Sequence, residues 1–507
     1  VPASEDAGGG IQDSENLELD SDEGSTENEN NVTSNATEPT NDDSWVNHYA
    51  DSFAGGTGSE TNPYQIETAE QLSLLAVNVN SGTNYNGSYF EQTANIDLSA
   101  YWWDAIGEYT SSSDYNEFAG HYDGGGHTVS GVFTKAGSSS TYSYQGLFGY
   151  VRGTSSTNRA EISNIGVINS NIQGYQYVGG IVGYSYYANI TNCYNTSSVS
   201  GSSLYVGGVV GYNYSATVSN SYNTATVTSS SSYVGGVAGN NSSSTVSNSY
   251  NMGSVTGISY VGGVVGENYQ ATVENSYNTG TVTGKKSNVG GVVGRNYSSS
   301  TVENSYNTGS VTGSSSNVGG VVGYNSSATV ENSYNTGTVA GSSQYVGGVV
   351  GYNYNSTVSY NSTVSNSYNI GDVTSTYTGT YVYLGGVVGY NYNGADVYNS
   401  FNTGSVTGTG SYIGAIVGRN YLNSPSVYNC YWGGNCTLTS AGTNSGGTIS
   451  NCSRFENDSD PKTYVFFQDS TNWYSSYPWD FTDTWGITQY ANDGYPYLLG
   501  VGNIAPD

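Results

Sequence analysis

Glu274, Glu303 and Glu331 each follow Thr-Val and precede Asn-Ser-Tyr-Asn in three near-identical stretches. If those stretches stack, the carboxylates stand about 4.8 Å apart in a column. Like charges that close raise one another's pKa or recruit a hard cation, and calcium is the metal this column would take. Three near-identical sites indicate copying rather than an acid–base pair, so glycosidic catalysis is not expected of them. Cys193, Cys430 and Cys452 each follow an Asn at one repeat position. Cys193 lies too many repeats away to reach the others. Cys430 and Cys452 fall on neighbouring repeats and are the expected disulfide in an oxidising compartment, with Cys436 as the competing partner. His121 and His127 flank Tyr-Asp-Gly-Gly-Gly, a tight turn rather than a metal or catalytic pair. No metalloprotease, nucleophile-elbow or phosphate-loop motif occurs, so no enzyme and no further cofactor is expected.

The repeat is what must position these groups. The hexamer Val-Gly-Gly-Val-Val-Gly, with small variations, begins at residues 178, 206, 234, 261, 289, 318, 346, 384 and 413. A period near 28 residues marks a solenoid. Each unit carries three short β-type runs, exemplified by Tyr205–Val210, Ala216–Asn220 and Thr226–Thr228, with Gly and Asn between them. One unit cannot bury its Val residues, but stacked units can. The expected fold is all-β: a right-handed parallel β-helix of about ten rungs. Stacking predicts ladders. One is an inward Asn column, Asn220, Asn248, Asn275, Asn304 and Asn332, and the other an aromatic column, Tyr222, Tyr250, Tyr277, Tyr306 and Tyr334. The long interval before 384 contains a tandem duplication, residues 354–359 repeated as 360–365, expected to bulge as a loop.

The flanks divide the chain further. Residues 1–45 hold 13 acidic and no basic residues. This tail is flexible alone or donated to a neighbour, with Ile11, Leu17 and Leu19 as an assembly segment. Residues 46–135 form an N-terminal cap and first rungs. There Thr68-Ala69-Glu70-Gln71 is a capping box, and Leu72, Leu75, Ala76 and Val79 give one short helix. Residues 136–454 are the array. Residues 455–507, with Trp473, Pro478, Trp479 and Trp485, are expected to cover its C-terminal end, where open sheet edges would otherwise aggregate.

The hexamers resemble the GLUG-motif repeats of exported bacterial surface proteins. "GSETNPYQIETAEQLSLLA", "DGGGHTVSGV" and "WDF…WGI…NDGYPYLL" resemble the segments that flank such repeats. The resemblance covers roughly residues 55–500. It implies a right-handed β-helix on a bacterial cell surface, adhesive or structural, without conserved chemistry.

Composition sets the partners. The net charge is −30 and only 9 residues are Lys or Arg, so nucleic acid is excluded as a partner. No apolar run is long enough for membrane insertion. The start at Val1-Pro2-Ala3-Ser4 fits an exported chain, extracellular or on the cell surface, whose signal peptide has been removed. Sequons such as Asn31-Val32-Thr33, Asn213-Tyr214-Ser215 and Asn355-Ser356-Thr357 fit a glycoprotein. The 51 Tyr and 71 Gly, with few charges, suit contact between like surfaces. The functional expectation is a homo-oligomeric or polymeric structural subunit of an extracellular filament, sheath or surface layer. The alternative is a cell-surface adhesin binding glycans or other surface proteins, and a polysaccharide-active enzyme ranks last.

Overall fold

The structure is a computed structural model. It describes residues 37–454 apart from 112, 315–316, 343, 356–360, 434–435 and 437, together with 479–481, 483–486 and 495–501. The chain divides into Val1–Thr33 and Ser34–Asp507, and all described residues belong to the second unit.

That unit is a parallel β-solenoid. Five parallel sheets of 9, 11, 14, 13 and 9 strands run along it, so its turns outnumber the ten or so expected from the hexamers. The additional turns lie at both ends, where Tyr64–Ile66 and Thr448–Ser450 keep the strand pairing but not the hexamer.

One turn shows how the repeat folds. Val206–Gly207 forms the first face, Val210–Tyr214 the second, Thr217–Ser219 the third, Tyr222–Asn223 the fourth and Val227–Ser229 the fifth. Like residues pair between turns: Val206 with Val234, Thr217 with Thr245, and Tyr222 with Tyr250.

Five strands per turn, not three, follow from two devices. The first is the glycine pair, which breaks the hexamer into two faces. A Cβ on Gly207 would stand 2.0 Å from the Val210 carbonyl oxygen, and one on Gly208 would stand 2.1 Å from that of Gly236. The backbone turns too tightly, and too near the next turn, for any side chain. The second is the left-handed corner: Tyr205, Ser215 and Asn220 have φ of 64°, 48° and 50°. Asn tolerates this region, but Tyr is an outlier there. The corner Tyr is held by its column, where Tyr177, Tyr205, Tyr233 and Tyr260 stack at 4.8–5.1 Å between ring centroids.

Each corner shifts the in–out alternation by a residue, and this decides which Asn points inward. Asn220, Asn248, Asn275, Asn304 and Asn332 occupy the corner at φ 47–50°, where they are exposed or half-buried rather than inward. The interior columns are two others. Asn195, Asn223, Asn251, Asn278, Asn307, Asn335, Asn369 and Asn402 pass one amide bond to the next turn at 2.8–2.9 Å. Asn213, Asn241, Asn268, Asn296, Asn325, Asn353, Asn391 and Asn420 do the same at 2.8–2.9 Å. In the first column a second N–H closes onto the turn, as Asn223 does on Ala225 O at 2.7 Å. Buried amides are thereby satisfied among columns of fully buried Val.

The interval before 384 grows at two places. Thr329 pairs with Thr363 and Tyr345 with Tyr383, so six residues enter between the second and third faces and four more between the fifth and first. The strand register resumes after each. Residues 356–360 of the duplicated segment fall outside the described residues.

The helix is Ala69–Asn80. The Thr68 hydroxyl accepts from Gln71 N, and Leu72, Leu75, Ala76 and Val79 join the core of the first turns.

The aromatic ladder and the groups around it

The fourth face carries the aromatic column. From Tyr194 through Tyr222, Tyr250, Tyr277, Tyr306, Tyr334 and Tyr368 to Phe401, successive ring centroids are 4.6–5.1 Å apart and ring planes differ by 1–7°. This separation is the rung spacing, so each ring lies on the ring of the next turn. The ladder starts at Tyr194 because the preceding turn places Gly166 there. A Cβ on Gly166 would meet the Tyr194 ring at 2.2 Å.

Such a ladder spends its ring faces on itself and turns ring edges outward. Ring edges are electropositive and are best met by the face of another aromatic. Over the C-terminal rungs they are met by the chain's own C-terminal segment. Trp485 lies 6.1 Å from Tyr334 and 5.8 Å from Tyr368, tilted by 47–48°. Trp479 lies 6.2 Å from Tyr368 and 5.8 Å from Phe401, and its Nε1 donates to Asn399 O at 3.1 Å. The Tyr368 hydroxyl donates to Pro496 O. Trp479 and Trp485 therefore cover the side of the solenoid rather than its C-terminal end, because the ladder offers a matching surface. Trp473 and Pro478 lie outside the described residues. Under this cover Tyr334, Tyr368 and Phe401 are fully buried, while Tyr194, Tyr222, Tyr250 and Tyr277 remain half-buried. Burial pushes the Tyr334 hydroxyl well above its ordinary pKa.

Glu274, Glu303 and Glu331 pair turn to turn on the third face. Burial and the two flanking carboxylates raise the pKa of Glu303. The three groups stand in a line. Among the described residues no three His, Cys, Asp or Glu side chains are grouped to hold a metal ion.

Cys193 and Cys430 occupy the inward position that is Ser221 or Ser249 in other turns. Burial pushes the Cys193 thiol up to about 12. Cys430 and Cys452 lie on successive turns with their thiols hydrogen-bonded to one another and no disulfide between them. That bond lowers the pKa of Cys452, while burial raises that of Cys430. Cys436 is buried. His121 stacks on Tyr89 at 4.4 Å and meets Glu161 at 3.2 Å.

The N-terminal tail is described only from residue 37. Glu38 accepts from Asn171 Nδ2 at 2.8 Å and from Gln173 Nε2 at 3.0 Å, and Trp45 is buried in the first turns. Ile11, Leu17 and Leu19 lie outside the described residues.

Sequence reasoning missed one buried ion pair. On the second face most turns carry an outward Tyr, but three successive turns carry Asn240, Glu267 and Arg295 instead. Glu267 accepts from Asn240 Nδ2 at 2.8 Å and from Arg295 at 3.3 Å. The Arg295 guanidinium lies 3.9 Å from the Tyr297 ring centroid. Burial pushes the Glu267 carboxyl up to about 7, against the pull of Arg295 and Asn240. The signal was present as a run of non-Tyr residues, Asn240, Glu267 and Arg295, in three successive turns at one repeat position.

The fold and its ladders define the class: a parallel β-solenoid built from stacked near-identical turns. The chain carries seven copies of the GLUG motif, at residues 174–200, 202–228, 257–283, 287–312, 314–340, 342–374 and 380–407. It is 36% identical over 107 residues to a protein of Evansella cellulosilytica provisionally described as a Gly-rich membrane protein. That match covers 20% of this chain and 11% of the relative. A crystal structure of a protein from Bacteroides ovatus, provisionally described as an immunoglobulin A1 protease, aligns at a TM-score of 0.30 and 16% identity. The alignment covers 88% of this chain and 95% of that one. Among the described residues no helix is long and apolar enough to cross a membrane.

Proposed function

We propose that this chain is a non-enzymatic structural protein, exported to the bacterial cell surface, that self-assembles into a filament, sheath or surface layer. The observation that carries the reading is how the repeated positions are used. The Val, Asn and Tyr columns each bind the copy above and below, giving a stiff body whose sides repeat the same surface at every turn. An adhesin that gripped glycans by stacking would need free ring faces, and the ladder rings spend theirs on one another. The Glu274, Glu303 and Glu331 line leaves no acid–base pair flanking a groove, which speaks against polysaccharide cleavage.

Electron microscopy of the untagged, secreted protein at neutral pH, with and without a chelator, tests the reading. Ordered polymers in both samples are expected. Single dispersed particles that bind a glycan array would overturn it in favour of adhesion.

A further inference from the structure

The C-terminal segment shows what an uncovered stretch of ladder accepts, and among the described residues one stretch has no such cover. Over the covered rungs Ile370, two residues after Tyr368, packs against the cluster that the ladder rings and the segment form together. That position is Thr in most turns: Thr196, Thr224, Thr279, Thr308, Thr336 and Thr403. Along the ladder from Tyr194 to Phe401 it is apolar at Ile370 and Met252, and Met252 is 54% exposed beside the half-buried Tyr250. The bare rungs Tyr222, Tyr250 and Tyr277, with Met252, thus repeat the arrangement of Tyr334, Tyr368 and Phe401 with Ile370. The two sets are centred four turns, or about 19 Å, apart, so both can be covered at once.

The segment itself has a second side. It contains a short antiparallel hairpin in which Trp485 pairs with Leu498 and Gly486 with Tyr497. Trp485 and Leu498 are buried against the ladder. By strand alternation Gly486 and Tyr497 face the other way. The Tyr497 ring lies across Gly486, where a Cβ would be 2.6 Å from its Cζ. Leu499 beside it is 39% exposed. Each copy therefore holds one outward aromatic–apolar hairpin surface and one bare stretch of ring edges with an exposed Met.

We propose that the hairpin of one copy, while seated on its own ladder, docks through Tyr497 and Leu499 onto Tyr222, Tyr250, Tyr277 and Met252 of a second copy. The hairpin becomes a layer shared between two ladders. Because the two surfaces differ, the contact is heterologous and propagates instead of closing as a pair. The inference rests on the self-assembly reading above and adds its contact. Charge favours this place: a chain of net charge −30 repels its copies, and two of the three rungs carry Ser219 and Ser247 at the position that holds Glu274 on the third and Glu303 and Glu331 on the two beyond it. Added salt therefore strengthens the association by screening the remaining repulsion.

The test is sedimentation velocity of the full chain over a concentration and salt series, for wild type, Met252→Arg and Leu499→Arg. Both residues are exposed, and unchanged thermal melts establish that the variants fold. Wild type is expected to grow beyond dimers as salt rises, and each variant to associate at least tenfold more weakly. An equimolar mixture of the variants retains one intact hairpin surface and one intact ladder, so it should give 1:1 dimers and nothing larger. Variants that associate like wild type, a mixture that stays monomeric, or a wild type that never associates would each overturn the proposal. Filaments that persist in Met252→Arg would overturn this contact and leave the structural reading standing. Pairing that is sensitive to Met252→Arg without any filament would support the contact and overturn the polymer.

Discussion

Replacing Asn251 by Ala isolates what the interior amide column contributes. Asn251 Oδ1 accepts from Asn223 at 2.8 Å and from Gly253 N at 3.3 Å. Its Nδ2 donates to Asn278 Oδ1 at 2.8 Å and to Gly253 O at 2.7 Å. Without it, the Asn278 carbonyl oxygen and both backbone groups of Gly253 lose these partners in a site closed to water. Asn223 Nδ2 keeps its bond to Ala225 O at 2.7 Å. At about 1–2 kcal/mol for each buried group left unpaired, the loss is about 3–6 kcal/mol. The corner residue of the same turn is the control. Asn248 sits at φ 48° and is exposed, so Asn248→Gly should change stability by less than about 0.5 kcal/mol. Urea unfolding reports the totals, and hydrogen exchange at Gly253 reports whether the damage is local, as it must be in a stack of nearest-neighbour turns. If Asn251→Ala costs less than about 1 kcal/mol, or if Asn248→Gly costs as much as Asn251→Ala, the assignment of the load to the interior column is wrong.

Three further outcomes follow. Glu267, raised from 4.5 to about 7, holds its proton in the folded chain over a range where the unfolded chain has lost it. Folding stability should therefore fall as pH rises from about 4.5 to 7, by on the order of 3 kcal/mol, and Glu267→Gln should flatten that slope in denaturant titrations. Trp485→Ala empties a fully buried site on the ladder and should weaken docking of the C-terminal segment by about 3–5 kcal/mol. Limited proteolysis would then remove that segment while the array resists, and an unchanged digestion pattern would contradict the placement. Oxidation with a disulfide donor should join Cys430 to Cys452, with Cys452 attacking because its pKa is the lowered one, and should stabilise the last turns by about 3 kcal/mol. Peptide mapping that finds Cys436 in the bridge would refute the pairing.

The period, the parallel stacking, the helix and the aromatic column were legible because each is carried by residues repeating at one interval. What was not legible is set by backbone conformation at single residues. The alternation through Val218, Ser219, Asn220 and Ser221 is interrupted by one left-handed residue, and that step sends Asn220 to the corner and Asn223 to the interior. A strict period of two cannot distinguish the two Asn columns, since both recur every turn. The glycine pair hid likewise: Val-Gly-Gly-Val-Val has the composition of one strand, and only the carbonyl oxygens beside Gly207 and Gly208 show that it must be two. The Glu column shows the opposite limit. Its residues stand in line as expected, but a place in a column does not fix how the carboxylates are oriented, and orientation is what a metal reads.

The same geometry decides what the ladder can do. A ring stacked on both sides has lost the surface that a sugar would use and kept the edge that another aromatic would use. Covered and bare rungs carry the same Asn-Ser-Tyr-Asn text, yet Tyr368 is fully buried and Tyr250 is not. The difference comes from a segment more than a hundred residues away in sequence, and no local pattern encodes it. Repetition thus makes a surface that is identical at every turn, and a single non-repeated hairpin decides which turns remain available. If that division is functional, removing the hairpin by truncation before Trp479 should expose all eight ladder rings from Tyr194 to Phe401. Such a chain should associate without fixed stoichiometry, whereas the intact chain should associate only through its bare rungs. Static light scattering of the truncated and intact chains separates the two, and a truncated chain that stays monomeric would show that the exposed ladder edges are not adhesive.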